Sequence, residues 1–369
     1  MELGPPDYTS ERPSLSSNLQ LLDLKTEVYV CENCGLAQSP ALDNATEFYG
    51  EQYRISLESD DHDQLITLPS GETLFRNDLQ CRLLTESVAL PTDAKILDFG
   101  GAKAASLKKI CEGRADLVPY VFDVSGDYQS AWATWIPPGN TAIHAVPERW
   151  RGQIDVIIAN FVLEHIAEPV ETLTLLAKLL STDGTLFLTV PNALLNTGDL
   201  LVVDHLNHFT PASIAKTFMT AGFSVETVDS SQFPGGLMVV AKKGDVADYE
   251  FGDDNESSSI KEALFNWAKI RKNLLAAAQD LGEVPVAIFG AGFYGNWIAS
   301  VISNSTNIWC FLDNNPYLKD RSQKDWPVLA PSEMPANVEV IFAGINPMAA
   351  RQALNREKFF VGKRLIFLE

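Results

Sequence analysis

Two segments, Lys95-Ile-Leu-Asp-Phe99 and Val284-Pro-Val-Ala-Ile-Phe289, are short apolar runs that end in glycine and lead into residues spaced as a helix. Such a run is the pattern of a strand buried on both faces. After the first, strand-like runs at Leu117–Phe122, Ile154–Ala159 and Thr185–Val190 alternate with helical stretches at Ala102–Cys111, Pro169–Leu180 and Pro211–Ala221. Ser224–Val228 and Gly236–Lys242 read as a closing pair of strands, and Thr210 is placed to cap the helix after it. After the second start come strands near Ile308–Leu312, Val338–Phe342 and Leu365–Leu368, preceded by a long helix from Ile260 to Leu281. This alternation predicts an α/β protein of two tandem, doubly wound, Rossmann-like sheets with a small N-terminal appendage. The expected divisions are 1–90 for the appendage and a mostly helical lead-in, 91–243 for the first sheet and 260–369 for the second. Between the sheets, 244–259 is acidic, polar and without apolar periodicity, and reads as a linker.

The 369 residues are 46% hydrophobic, enough for two cores, and carry a formal net charge of -20. A surface this acidic repels phosphate backbones and no basic stripe offsets it, which argues against a nucleic-acid partner. No apolar run approaches the roughly 18 to 20 residues of a membrane span. The start, Met-Glu-Leu-Gly-Pro-Pro-Asp, has neither the basic residues nor the apolar run of a secretory signal. Five cysteines, an odd number in a long chain, fit a reducing compartment, so a cytoplasmic location is expected.

The turn Asp98-Phe-Gly100-Gly101 sits where the first strand feeds the first helix, so backbone N–H groups there can approach a ligand closely. Asp98 can accept a hydrogen bond from an amino group. Asp123 ends the next strand, 25 residues later, where an acid suits the hydroxyls of a ribose. This much fits a dinucleotide or S-adenosylmethionine equally.

The following segments separate the two. Ile154 to Asn160 runs into Val162-Leu-Glu164-His165, and a Gly184-containing turn precedes a strand ending in Val190-Pro-Asn192. In this order the residues from about 90 to 242 resemble the class I methyltransferases. The resemblance implies S-adenosylmethionine as donor, held by Asp98, Gly100, Gly101, Asp123 and Asn160. Ala102 and Ala104 stand where the family's turn usually continues with glycine, which leaves the loop less freedom to adopt positive φ.

Past the fifth strand comes Val203-Asp204-His205-Leu206-Asn207-His208-Phe209-Thr210. A loop leaving that strand lies at the ligand edge of a parallel sheet, and a carboxylate near an imidazole helps it take a proton. The segment is equally readable as packing and a helix cap. It is similar to the His-Glu-His-Leu-Ser-Tyr-Phe-Ser element of the nucleotide-sugar C-methyltransferases, whose order of zinc module, methyltransferase domain and C-terminal Rossmann-like domain this chain resembles. On that resemblance His205 is the base, Asp204 takes the place of the glutamate, and His208 replaces the tyrosine. The implied chemistry is proton removal α to a ketone of a nucleotide-linked sugar, then methylation of the enolate carbon. The implied place is polysaccharide biosynthesis. Two other readings stay open: O-methylation of a hydroxyl, and a non-catalytic protein that binds a nucleotide sugar or NAD.

Cys31-Glu-Asn-Cys34-Gly is half of a tetrahedral thiolate site, and residues 1–30 contain no cysteine to supply the family's other half, so zinc is not expected to stay. Tyr53 matches the family's Tyr- and Ser-rich segment that reaches the active site. The C-terminal Gly290-Ala-Gly292-Phe-Tyr294-Gly295, with Asp313 18 residues after Gly295, has the spacing of an NAD fingerprint. In the resembled family this fold holds the substrate's nucleotide diphosphate instead, which favours substrate over NAD and makes Gly290, Gly292, Tyr294, Gly295, Asp313 and Asn346 substrate-binding candidates.

Overall fold

The structure, a computed structural model, describes residues 5–42, 48–49, 63–244, 255–319 and 321–369. The chain divides into two compact units: one of Val30–Leu195 with Asp204–Ser257, the other of Met1–Tyr29, Asn196–Val203 and Ser258–Glu369.

The first unit is a seven-stranded sheet. Its strands are β1 (Lys95–Phe99), β2 (Val118–Asp123), β3 (Thr141–Ile143), β4 (Ile154–Asn160), β5 (Leu180–Pro191), β6 (Phe223–Asp229) and β7 (Gly236–Lys243), in the order β3-β2-β1-β4-β5-β7-β6. Neighbours are parallel except β7, which is antiparallel to both β5 and β6. The central strands are apolar throughout because both faces are covered. Leu97 and Ile157 face a core shared with α3 (Pro169–Leu179) and α4 (Pro211–Thr220). Ile96 and Ile158 face the opposite core, with α1 (Arg76–Ser87) and α2 (Ala105–Gly113).

Strand order reverses between β1 and β4, and at such a switch point the connections leave to opposite sides and open a crevice beyond the carboxyl ends of the strands. Asp98 is level with Ile158 of β4 and Val121 of β2 at that end.

In the other unit the strands β8 (Pro285–Phe289), β9 (Asn307–Leu312), β10 (Ser322–Gln323), β11 (Trp326–Leu329), β12 (Val340–Ala343) and β13 (Arg364–Ile366) form a sheet in the order β10-β11-β9-β8-β12-β13. Only the β10–β11 pair is antiparallel. Helix α5 (Glu256–Leu281) buries Ile260, Leu264, Trp267, Ile270, Leu274, Ala278 and Leu281, an i, i+3, i+4 stripe, and Trp267 Nε1 donates to the Thr197 carbonyl at 2.9 Å. Helices α6 (Phe293–Ile302) and α7 (Pro347–Arg356) complete the unit. Near the N-terminus, Tyr8–Thr9 pairs with Glu27–Val30, and Ser14–Leu15 pairs with Leu21–Leu22.

Two sequence expectations change. Among the described residues of 41–90, α1 is the one α-helix, preceded by a hairpin of Leu65–Thr67 and Thr73–Phe75. The helical expectation took mixed charges for a helical surface, whereas Ser70-Gly71 makes a turn with Gly71 at φ +89°. Strands β3 and β11 were not expected, being three and four residues long and interrupted or flanked by proline. No helix among the described residues is long and apolar enough to cross a membrane.

Candidate active site

The β1 turn closes on itself through the backbone. Gly100 at φ +71° donates to the Phe122 carbonyl at 2.8 Å, and a Cβ on Gly100 would lie 2.6 Å from Val162 Cγ2. A Cβ on Gly101 would lie 2.8 Å from Asp98 Cγ and 2.9 Å from Val121 Cγ2. Both positions therefore need glycine. Ala102 and Ala104 adopt φ +46° and +55°, so the two alanines take the left-handed conformation that glycine would give. The Trp132 indole fixes the first of them by donating to the Ala102 carbonyl at 2.7 Å.

Asp98 is buried, and burial together with the negative charge of Asp123 pushes its carboxyl up to about 7. Asp123 accepts from the backbone N–H of Ala102 and of Ser125, each at 2.8 Å. It thus ties the first turn to the second strand. Asn160 ends β4 and accepts from Thr189 Oγ1 at 2.8 Å. Phe161 follows at φ +57°, a backbone strain on the order of 1–3 kcal/mol for a bulky residue. Its ring lies against Phe233 and under the Arg76 guanidinium, 5.4 Å from the centroid. Sequence patterns carry no sign of this strained residue.

Beyond β4, the turn Leu163–His165 is clamped to the 204–208 loop. Leu206 N–H donates to the Glu164 carbonyl at 2.7 Å, and Asn207 Nδ2 donates to the Leu163 and Ile166 carbonyls at 3.2 and 2.7 Å. This brings His165 and His205 edge to face, with ring centroids 4.7 Å apart. Asp204, fully buried, has Oδ2 3.5 Å from His165 Nδ1. The Asp204 carbonyl accepts from Tyr49 Oη at 2.8 Å and from His165 Nδ1 at 3.0 Å. A carbonyl only accepts, so Nδ1 carries the proton and Nε2 keeps the lone pair in neutral His165. Tyr49 and the pairing of His165 with the loop 39 residues later are the parts of the cluster that the sequence reading did not join.

His208 is fully buried on a two-residue strand and hydrogen-bonds Ser39 Oγ at 3.1 Å. Thr210 caps α4 in a reciprocal capping box with Ser213, as expected. Tyr53 lies outside the described residues. Cys31 and Cys34 flank a tight turn in which Gly35 N–H donates to the Cys31 carbonyl at 2.8 Å. Burial opposes ionisation of Cys31, but hydrogen bonds from the Cys34 thiol and from backbone amides hold its thiol below the ordinary value. Among the described residues no third His, Cys, Asp or Glu joins the two thiols.

In the C-terminal unit the β8 turn repeats the device of β1. Asp313 accepts from the N–H of Ala291 and Asn315, each at 2.8 Å, and Gly290 N–H donates to the Leu312 carbonyl at 2.7 Å. A Cβ on Gly290 would meet the Gly344 carbonyl oxygen, and one on Gly295 the Gly290 carbonyl oxygen, whereas Gly292 faces open space. Tyr294 turns inward: its hydroxyl donates to Asn196 Oδ1 at 2.5 Å and accepts from Gly198 N–H at 3.1 Å. Burial pushes its phenol up and keeps it protonated. Asn346 caps α7, accepting from Met348 N–H at 3.0 Å.

Residues 74–228 match a family model described as a methyltransferase domain. Similar solved structures include a Listeria monocytogenes protein classed as an S-adenosylmethionine-dependent methyltransferase, 13% identical, with 46% of this chain and 100% of that one covered and a TM-score of 0.37. An S-adenosylmethionine-dependent methyltransferase from Mesorhizobium loti is 12% identical, with 42% and 94% covered and a TM-score of 0.35. An O-methyltransferase family protein from Burkholderia thailandensis is 17% identical, with 46% and 58% covered and a TM-score of 0.35. No curated protein matches the chain. Over residues 74–228 the chain is thus similar to a methyltransferase domain.

Proposed function

We propose that the acceptor is a nucleotide-linked sugar and that the methyl group is placed on carbon, with His205 as the base. The observation that carries this reading is the His165–His205 pair, clamped beyond the carboxyl end of β4 at the switch point of the sheet. The donor side fits as well. The Gly100–Gly101 turn lets the backbone approach a ligand, and the buried Asp98 carboxyl is relieved of its desolvation cost when a cationic group of the donor pairs with it. Asp123 and Asn160 are the remaining donor-binding residues in this reading. Bound there, S-adenosylmethionine supplies an electrophilic methyl group.

His205 takes the proton α to the sugar's ketone, and the electron pair of the broken C–H bond passes into the enolate. His165 is held by Asp204 and Tyr49 in one tautomer beside it, and steadies the imidazole during that transfer. The C-terminal unit serves the nucleotide diphosphate: its β8 turn holds Gly290, Gly292 and Gly295 at the start of α6, whose N-terminus favours phosphate. Here Asp313 and Asn346 shape the turn and the neighbouring helix start, and Tyr294 braces it from inside.

The test is isotopic. In D2O, with a keto-sugar nucleotide, the wild-type chain is expected to exchange the α-hydrogen for deuterium, and His205→Ala is expected to lose this exchange while retaining donor affinity. Product mass spectrometry and NMR then locate the new methyl group. A methyl on oxygen would make His205 the base for a hydroxyl, and exchange unchanged by His205→Ala would remove its role.

A further inference from the structure

The base role of His205 does not exhaust the chemistry of its cluster. Among the described residues, Glu164, His165 and His205 make the one group of three ligating side chains, each offering an atom within 4.8 Å of the others. Glu164 and His205 are buried, at 1% and 7% exposure. Two imidazoles and a carboxylate suit a borderline divalent ion, Zn2+ foremost; Mg2+ and Ca2+ call for oxygen donors.

Two further features point the same way. The Nδ1 face of His165 is held by the Asp204 carbonyl at 3.0 Å and carboxylate at 3.5 Å, which is how an outer partner fixes a ligating imidazole and leaves Nε2 for the metal. The backbone carrying Glu164 and His165 is tied to the loop carrying His205 by the Leu206 and Asn207 hydrogen bonds, so the three donors sit on one fixed frame. Around a tetrahedral ion with bonds of about 2.0–2.1 Å the donors stand about 3.3 Å apart, a closure that side-chain rotations of about 1 Å supply.

We propose that Glu164, His165 and His205 form a zinc site with a fourth position for water, and that zinc occupancy switches methyl transfer off. An imidazole that gives its lone pair to a metal has none left for a proton. The inhibitory consequence rests on the reading of His205 as base; the binding site does not.

The test uses the full chain carrying Cys31→Ser and Cys34→Ser, which removes the two thiolates as competing ligands. Zn2+ is titrated by calorimetry, and methyl transfer and α-hydrogen exchange are followed across the same zinc concentrations and after EDTA. One zinc per chain is expected, with loss of both activities tracking occupancy and return on chelation. Glu164→Gln, which keeps the side chain's size, and His165→Ala are each expected to weaken zinc by about tenfold or more. A circular-dichroism melt confirms that each variant is folded. No zinc binding, or binding unchanged in both variants, overturns the site, and α-hydrogen exchange that still requires His205 would leave the base reading standing. Zinc bound at full exchange activity overturns the inhibition and shows that His205 keeps its lone pair, while the loss or survival of exchange in His205→Ala decides the base role separately.

Discussion

Asp98 bears a cost of burial. Its carboxyl is buried beside Asp123 and pushed up to about 7, so the folded chain holds its proton more tightly than the unfolded chain does. The stability this proton confers relative to the ionised state is fully present below about pH 4 and is lost as pH rises through about 7. Asp98→Asn removes the ionisation and is expected to stabilise the chain at pH 8 by roughly 2–4 kcal/mol in urea unfolding, with the gain gone at pH 4. An equal gain at both pH values would contradict the ionisation account. Gly100 bears a steric constraint instead: φ +71° and Val162 Cγ2 at 2.6 Å from an added Cβ. Gly100→Ala is expected to cost about 1–3 kcal/mol. Ala102→Gly, which only relaxes a conformation already adopted at φ +46°, should change stability by less than about 1 kcal/mol, because relieved strain offsets the added freedom of the unfolded chain. A large loss from Ala102→Gly would mean that the methyl group packs more than it strains.

At the scale of elements, α4 shows how local chemistry anchors the site. Thr210 both ends the loop that carries His205 and caps the helix through Ser213. Thr210→Ala is expected to cost about 1 kcal/mol of stability, and Thr210→Ser much less, read by thermal melting. This cap was legible because Thr-Pro ahead of an apolar-periodic stretch is a start signal that needs only neighbouring residues. β1 and β8 were legible for the same reason, each being an apolar run stopped by glycine. The short β3 and β11 were not: β11 owes its place to pairing with β9 and contains Pro327, which marks no strand by itself. The His165–Asp204 contact was equally hidden, because it runs through the Asp204 main-chain carbonyl and joins residues 39 apart. The strain at Phe161 is set by where β4 ends and by the Thr189 carbonyl that takes its N–H at 2.8 Å, neither of which has a residue signature.

At the scale of the molecule, one structural device occurs twice. In each unit an acid at the end of the second strand or directly after it, Asp123 or Asp313, uses both oxygens to hold the glycine turn of the first strand and its own following turn. Repetition of the glycine-strand pattern made two sheets readable from sequence, whereas the grouping of Met1–Tyr29 with Ser258–Glu369 depends on long-range packing that no local pattern encodes. The net charge of -20 also acts on the whole. Self-repulsion destabilises the compact state, so raising NaCl from about 0.05 to 0.5 M is expected to raise the melting temperature, and retention on DNA at low salt is not expected. A melting temperature that falls with NaCl would show that attractive ion pairs outweigh the net charge.

The turn after β1 as the donor's seat is most directly tested by calorimetric titration of S-adenosylmethionine into the full chain, compared with Asp98→Asn. One donor per chain is expected, bound more tightly at pH 8 than at pH 6 as Asp98 ionises, and weakened by about tenfold or more in the variant. No binding by the wild type, or affinity untouched by both pH and the substitution, would contradict the account.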